Sequence, residues 1–497
     1  MPPGSGSLFI AWGVLFTENL ASVAGAVLDY IIQTFGWVFV LATIGFLAFA
    51  VFLGLSRYGK IRLGRDDERP EFRTSSWVAM MFSAGMGIGL MFFGVAEPLS
   101  HLAAPPNGAA KAGSVDAARV AMEYSYFHWA FHPWALYAVV GLALAYFTYR
   151  KGMPNLISSA FYPILGERVK GPIGKGIDSL AIFATLFGTA TSLGLGAVQI
   201  NSGLNFLWGV PTSNGLAIAI IAVLTVGFVV SAVSGVKRGV KWLSNTNMVL
   251  AIALLLFVLV VGPTVFIFDT LTQAIGGYLS SIVPLSFRTS AFGDREWLSA
   301  WTIFYWAWWI SWAPFVGTFI ARISKGRTIG EFILGVVLVP SAVSFVWFAI
   351  LGGAALNLQL TGQANIAGAV AEAPEIGLFT TLGEFPLATL TSLVVIVLVA
   401  LFFVSGADAA SLVMGMLSSR GAPNPAKPVV ILWGTLTGAA AAVLLLAGGL
   451  EALQQAAIIA AAPFVLVMIG LCYCLFKALS ADRPEPAARA PAAVEPA

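Results

Sequence analysis

The chain has 497 residues, 59% of them hydrophobic and only 10% charged, with a mean hydropathy of +0.89, which excludes a water-soluble globular fold and makes this a polytopic membrane protein. Its net charge of +3 does not point to nucleic acid, because 22 of the 26 Lys and Arg fall in alternate connecting segments, the positive-inside pattern of a chain that crosses a bilayer repeatedly. Cys472 and Cys474 lie two apart near the end of the chain and face different ways on a helix, so neither a disulfide framework nor a metal site follows.

Apolar runs of about 20 residues, enough to cross a hydrocarbon core of roughly 30 Å, are predicted near 31–55, 76–98, 122–148, 177–206, 214–235, 244–268, 298–321, 330–352, 386–416, 428–449 and 452–477. A shorter run lies at 5–17, which makes twelve candidate spans with both termini on the cytoplasmic side. This first run is either tilted behind its neighbours or begins upstream, and it has no basic n-region or cleavage signal. Residues 1–60 therefore form two N-terminal helices and 61–75 a basic cytoplasmic loop.

The third span carries Gly85-Met86-Gly87-Ile88-Gly89. Three alternate glycines are poor helix material, each costing about 1 kcal/mol against Ala. In lipid an unwound backbone is tolerated only where it lines a cavity or is buried in protein, so the motif predicts a broken helix at a ligand site; a close helix crossing through small residues uses the same pattern. Glu97-Pro98 closes this span near an interface, as a helix end, a gate or a coupling group. The fourth span holds Trp129, Trp134 and Tyr137, with Pro133 placed to bend the helix and bring Trp129 round to the other two. His128 and His132 are i, i+4, the spacing of a metal pair, but no acidic or thiol partner is expected near them and helix packing is the expected role. In the fifth span Thr185 and Thr189 share a face, where hydroxyls serve either a hard monovalent cation or their own helix.

The eighth span, 298–321, holds Trp306, Trp308, Trp309 and Trp312 within seven residues. Tryptophan ordinarily sits at membrane interfaces, whereas these fall near mid-depth, with Trp308 and Trp312 on one face and Trp309 turned about 100° away. Indole faces at this depth suit cation–π binding of a group that donates no hydrogen bond, above all a quaternary ammonium. The tenth span carries Phe402, Ser405, Gly406 and Asp408, an intramembrane acid and so a functional candidate. Segments 271–297 and 353–385 are long outer loops, the first expected to hold an amphipathic helix, and 479–497 is an Ala/Pro-rich tail expected to be disordered.

With these motifs in place, the chain from about Gly36 to Gly415 resembles the betaine/choline/carnitine transporter family. The resemblance rests on Gly85 to Gly89, on His128-Trp129 with His132 to Tyr137, on Tyr149 to Gly152, on Thr185 to Gln199, and above all on Trp306 to Phe315 followed by Phe319 to Ser324. It implies an all-α fold of twelve transmembrane helices. Two inverted five-helix repeats of leucine-transporter type, 76–270 and 298–478, follow two extra helices, and members are often homotrimers. The family's aromatic box falls on Trp129, Trp134, Tyr137 and Trp309, with Trp308 and Trp312 beside the path and Gly85, Met86, Gly87 and Gly89 lining it. One sodium site falls on Ser83, Met86, Phe402 and Ser405, a second on Thr185, Thr189 and Phe315. Gly406 stands where sodium-coupled members often have a second hydroxyl. Members that carry choline tend to have an acid at the place of Gly89, whereas those that carry zwitterions have glycine.

The expected function is import of glycine betaine or a similar zwitterionic compatible solute into the cell by sodium symport with alternating access, in the plasma or inner membrane and in the service of osmoprotection. Proton-coupled choline uptake or sodium-independent carnitine/betaine exchange is the alternative. An enzyme would need converging acids, bases or metal ligands, which the three histidines and scattered acids do not supply. No cofactor is expected beyond sodium as coupling ion. With only Arg483 and Arg489 as basic groups in the tail, little osmosensing is expected from that end.

Overall fold

The computed structural model describes residues 4–85, 87–106, 108–234, 237–293 and 295–482, with the backbone alone at 4–6, 82–85, 232–234 and 237–244. Regular structure among them is helical, and the one strand-like pairing among the described residues is an isolated antiparallel bridge between Arg62 and Thr328. In chain order the main helices are α1 (Gly4–Leu15) and α2 (Thr17–Leu55), α3 (Thr74–Gly85) and α4 (Ile88–Ala103), and α5 (Val115–Trp129) and α6 (Phe131–Ala145). Then come α7 (Pro172–Trp208), α8 (Asn214–Ser234), α9 (Lys237–Val261) and α10 (Thr264–Ser286). The last four are α11 (Phe304–Ile323), α12 (Ile329–Leu360), α13 (Ala388–Ser418) and α14 (Lys427–Ala481).

Among the described residues seven helices, with α5 and α6 counted together as Val115–Arg150, are long and apolar enough to cross a membrane, and α9 with α10, bent by 111° at their junction, make an eighth if counted as one span. Such a chain is a polytopic membrane protein. Its helices break where the sequence allows it. The α3–α4 gap falls inside the glycine motif, with Gly87 extended at the start of α4. Ala130 (φ −107°, ψ −117°) separates α5 from α6, which puts Pro133 in the first turn of α6, where its missing N–H leaves no bond unmade. The chain thus turns at Ala130 rather than through a bend at Pro133. The segment α14 is interrupted at Gly448 and Gly449, and the φ of +63° at Gly449 is a left-handed conformation that favours glycine.

Helix α11 sits at the centre, packed against α6, α7 and α14. Lipid tails are as apolar as leucine, so this packing is held by close contact and internal hydrogen bonds rather than by escape from water. The indole N–H groups follow that logic: Trp347 donates to Leu90 O (2.8 Å) and Trp77 to Ser324 Oγ (3.0 Å).

One end of the bundle is tied by the basic loop. Leu63 and Gly326 exchange backbone bonds with Arg327 and Leu63 at 2.8 Å each, and Ile329 N–H donates to Ile61 O at 2.9 Å. Arg322 grips Glu71 with two bonds of 2.7 Å. Arg150 reaches Asp66 (2.7 Å) and Asp482 (2.6 Å), and Tyr146 donates to the same Asp482 carboxylate (2.8 Å), so the end of α14 is pinned to α6 and to the loop before α3.

Burial alone raises the pKa of the Asp482 carboxyl, but the hydrogen bonds from Arg150 and Tyr146 and the charges of Arg150 and Lys151 outweigh it and hold the group below its ordinary value. A depressed carboxyl contributes stability that is full above its unfolded pKa of about 4 and is lost as pH falls through the folded value. Asp482→Asn is expected to cost about 1–3 kcal/mol at neutral pH and to flatten the acid fall in Tm between about pH 5 and pH 3, read by thermal unfolding in detergent; an unchanged acid limb would contradict this.

Candidate functional site

The break at Ala130 and the tryptophan run of α11 bring rings from separate helices together. Trp129 and Trp309 meet edge to face at 4.8 Å between centroids, and Tyr137 lies 6.2 Å from Trp309. Trp134 packs on Tyr137 at 5.3 Å, and Trp308 stands perpendicular to Trp129 at 6.2 Å. Although adjacent residues on a helix point in different directions, the indoles of Trp308 and Trp309 fold together, stacked at 5.1 Å and 14°. Trp129, Trp134, Tyr137, Trp308, Trp309 and Trp312 all line one cavity of about 40 Å³, which Gly87, Gly89 and Ser344 also border. Pockets for small molecules run to about 300–1,000 Å³, so the rings are closed over the site and must part to admit a solute.

Two of the residues that line this cavity carry a donor without an acceptor. The Tyr137 hydroxyl and Trp312 Nε1 are buried without a hydrogen-bond partner, a costly state that a ligand acceptor relieves. By contrast, Trp309 Nε1 donates to His128 O (3.0 Å), and Trp308 Nε1 lies 3.2 Å from Ser192 Oγ. Gly89 makes the closure possible: a Cβ there would lie 2.7 Å from Trp129 Cη2 and 2.8 Å from Trp308 Cη2.

A second cavity of about 190 Å³ adjoins the first and is lined by Gly87, Ile88, Thr189, Ser192, Trp312, Phe315, Phe402, Ser405 and Gly406, among others. It unites Thr189 and Phe315, expected in one sodium site, with Phe402 and Ser405, expected in the other. Thr189 Oγ1 is buried and unpartnered. Thr185 is turned away, its hydroxyl donating to Ala181 O (2.8 Å), and Ser405 likewise bonds Leu401 O (2.8 Å). The Ser83 side chain and Met86 lie outside the described residues, and Gly85 is described only as the last residue of α3. Asp408 borders neither of these two cavities and accepts a bond from Ser231 Oγ at 3.0 Å.

One expectation is corrected: His128 does have an acidic partner. Glu97 is fully buried, and its Oε1 lies 2.7 Å from His128 Nδ1 and 3.3 Å from His101 Nε2. The reason is the helix break, which lets α4 lie along α5 as a separate rod, so Glu97 faces the bundle interior. Its Oε2 accepts from Trp129 Nε1 (2.7 Å) and from the Tyr305 hydroxyl (2.5 Å). The ligand atoms of Glu97, His101 and His128 lie within 4.8 Å of one another, as in a three-ligand metal site, but the carboxylate oxygens already have four donors aimed at them. The signal in the sequence was partial: Glu97 and His128 are ionisable side chains inside predicted apolar spans and functional candidates on that ground, whereas His101 falls just beyond the predicted span 76–98.

The family model of "BCCT, betaine/carnitine/choline family transporter" matches residues 4–484. The glycine betaine transporter OpuD of Bacillus subtilis is 50% identical over 479 residues, covering 96% of this chain and 93% of that one. A probable glycine betaine transporter of Desulfitobacterium hafniense is 46% identical over 96% of both chains. An ectoine/hydroxyectoine transporter of Virgibacillus pantothenticus is 42% identical over 93% of this chain and 92% of its own.

Because the ring edges crowd the missing Cβ of residue 89, Gly89→Ala is expected to destabilise the protein by about 1–3 kcal/mol through overpacking and to shift tryptophan emission as Trp129 and Trp308 move apart. Thermal unfolding and fluorescence in detergent check this, and wild-type values for both would contradict the ring closure described.

Proposed function

The chain belongs to the betaine/carnitine/choline transporter family, members of which are transporters and not enzymes, and from that premise we propose that it imports glycine betaine or a close zwitterionic solute by sodium symport. The observation that carries the reading is the convergence of Trp129, Trp134, Tyr137 and Trp309 on one cavity. A trimethylammonium head donates no hydrogen bond, so ring faces replace its hydration, each for about 0.5–2 kcal/mol. The free Tyr137 hydroxyl and Trp312 N–H are suited to the substrate carboxylate, and the absence of an acid at Gly89 favours a solute that brings its own.

In this reading sodium, as cosubstrate, occupies the second cavity against Thr189 Oγ1, Ser405 and nearby backbone carbonyls. Binding there ties α4 and α7 to α13, so ion and solute load the same conformation. Moving sodium with a zwitterion transfers net charge, and the membrane potential supplies about 2.3 kcal/mol per charge per 100 mV. The broken α3–α4 pair and α11 act as the leading helices of two inverted repeats within a twelve-span layout, with the N- and C-terminal ends cytoplasmic, and alternating access opens the ring cluster to each side in turn.

Two outcomes test the coupling. Uptake of labelled glycine betaine into proteoliposomes is expected to require external sodium and to rise with an inside-negative potential; equal uptake with potassium would overturn the symport. A Cβ at Gly406 would meet nothing within 4 Å, so Gly406→Ser fits and adds an oxygen to the second cavity. This variant is expected to lower the sodium concentration for half-maximal uptake several-fold, and an unchanged value would remove that cavity from the ion's route.

A further inference from the structure

The aromatic cluster is backed by a buried carboxylate that borders neither cavity. Glu97 sits one indole behind the cavity: Trp129, whose ring lines the cavity, donates its N–H to Glu97 Oε2 at 2.7 Å. The second wall is tied to the same group by two routes. Tyr305 donates to Glu97 Oε2 and stacks on Trp309 at 6.1 Å and 15°, and His128, bonded to Glu97 Oε1, offers its backbone carbonyl to Trp309 Nε1 at 3.0 Å.

The hydrogen bonds limit the charge that the cluster can carry. A carboxylate only accepts, so the nitrogens of His128 and His101 that face it carry hydrogen. His128 Nε2 lies 2.9 Å from the Thr302 hydroxyl, which donates to it when the ring is the neutral Nδ1–H tautomer. In that tautomer, with His101 likewise neutral, four donors meet the two oxygens of one carboxylate and the cluster holds one negative charge in the bundle interior, with no Lys or Arg among the hydrogen-bond partners of Glu97.

We propose that Glu97 is a positioning and specificity residue for the onium head: it orients Trp129 and Trp309 and, through the indole hydrogen bond, makes the cavity selective for a positively charged group over an uncharged group of the same shape. Two effects act in one direction. A hydrogen bond from indole N–H to an anion pushes electron density into the ring, strengthening the face that a cation meets. The charge itself attracts a cation across one ring's width in a medium that screens it weakly. Neither effect acts on a neutral head. The arrangement also explains why the carboxylate is withheld from the cavity: contact would compete with the carboxylate of a zwitterionic solute, whereas an anion behind an indole attracts the ammonium without meeting the other end.

This inference rests on the betaine reading, and the experiment separates the two. Binding is measured by tryptophan fluorescence and by competition against labelled glycine betaine, for betaine and for tert-butylacetate, the anion in which carbon replaces the ammonium nitrogen. Glu97→Gln preserves the shape: its amide oxygen accepts from Trp129 and Tyr305, and its NH2 donates to the other tautomer of His128. The expected result is an approximately tenfold weaker Kd for betaine with the tert-butylacetate constant changed less than about twofold, so that the preference between the two collapses. Trp129→Phe removes the hydrogen bond while keeping the carboxylate and an aromatic face, and it is expected to lose the preference in the same way; it carries the test if the Glu97 variant does not fold. An equal loss for both ligands would reduce Glu97 to a packing role and overturn the proposal, as would an unchanged betaine Kd. Failure of the wild-type protein to bind betaine at all would instead overturn the functional reading on which the proposal stands.

Discussion

The structure depends on a constraint that water-soluble proteins escape: within a bilayer, every donor and acceptor not exposed to water must find its partner inside the protein. That constraint explains where the large polar-edged rings sit. Trp347, Trp77 and Trp309 each end on a carbonyl or hydroxyl of another helix, so the same side chains that fill space also fix helix register. Against this background the unpaired donors at the aromatic cavity, Tyr137 and Trp312, stand out as groups that a solute would complete. An unpartnered buried Thr189 hydroxyl beside the second cavity has the same character.

Backbone breaks do the complementary work. The interruption between α3 and α4, the turn at Ala130 and the left-handed Gly449 divide rods that would otherwise run the full thickness of the membrane. Each break re-aims a half-helix: α4 turns Glu97 inward, and α6 brings Trp134 and Tyr137 onto the face that meets α11. The edges of Trp129 and Trp308 then close over Gly89, and opening the cluster requires displacement of side chains tied to α4 and α5 through Glu97 and His128.

The aromatic part of the site was legible from sequence because indoles at mid-depth are costly to place and so carry information individually. Trp129, Trp134, Tyr137 and Trp309 needed only helical spacing and a break between α5 and α6 to be brought together, although the break falls at Ala130 rather than at Pro133. The polar part was not legible, because it depends on three-dimensional neighbours: Glu97 and His128 are 31 residues apart and on different helices, and nothing in a linear pattern says that α4 lies along α5. Thr185 and Thr189 show the same limit. They share a face by spacing, yet one bonds its own helix and the other borders the cavity. The predicted runs 428–449 and 452–477 meet at Gly448 and Gly449, whose non-helical backbone divides α14 into two helices.

The most direct test of this account is a cryo-electron microscopy structure of the protein in lipid nanodiscs with glycine betaine and sodium. The account places the ammonium nitrogen within about 6 Å of the centroids of Trp129, Trp134, Tyr137 and Trp309, with the substrate carboxylate on the side of Trp312. Betaine bound elsewhere, or a ring cluster still closed over Gly89 in the loaded protein, would contradict it.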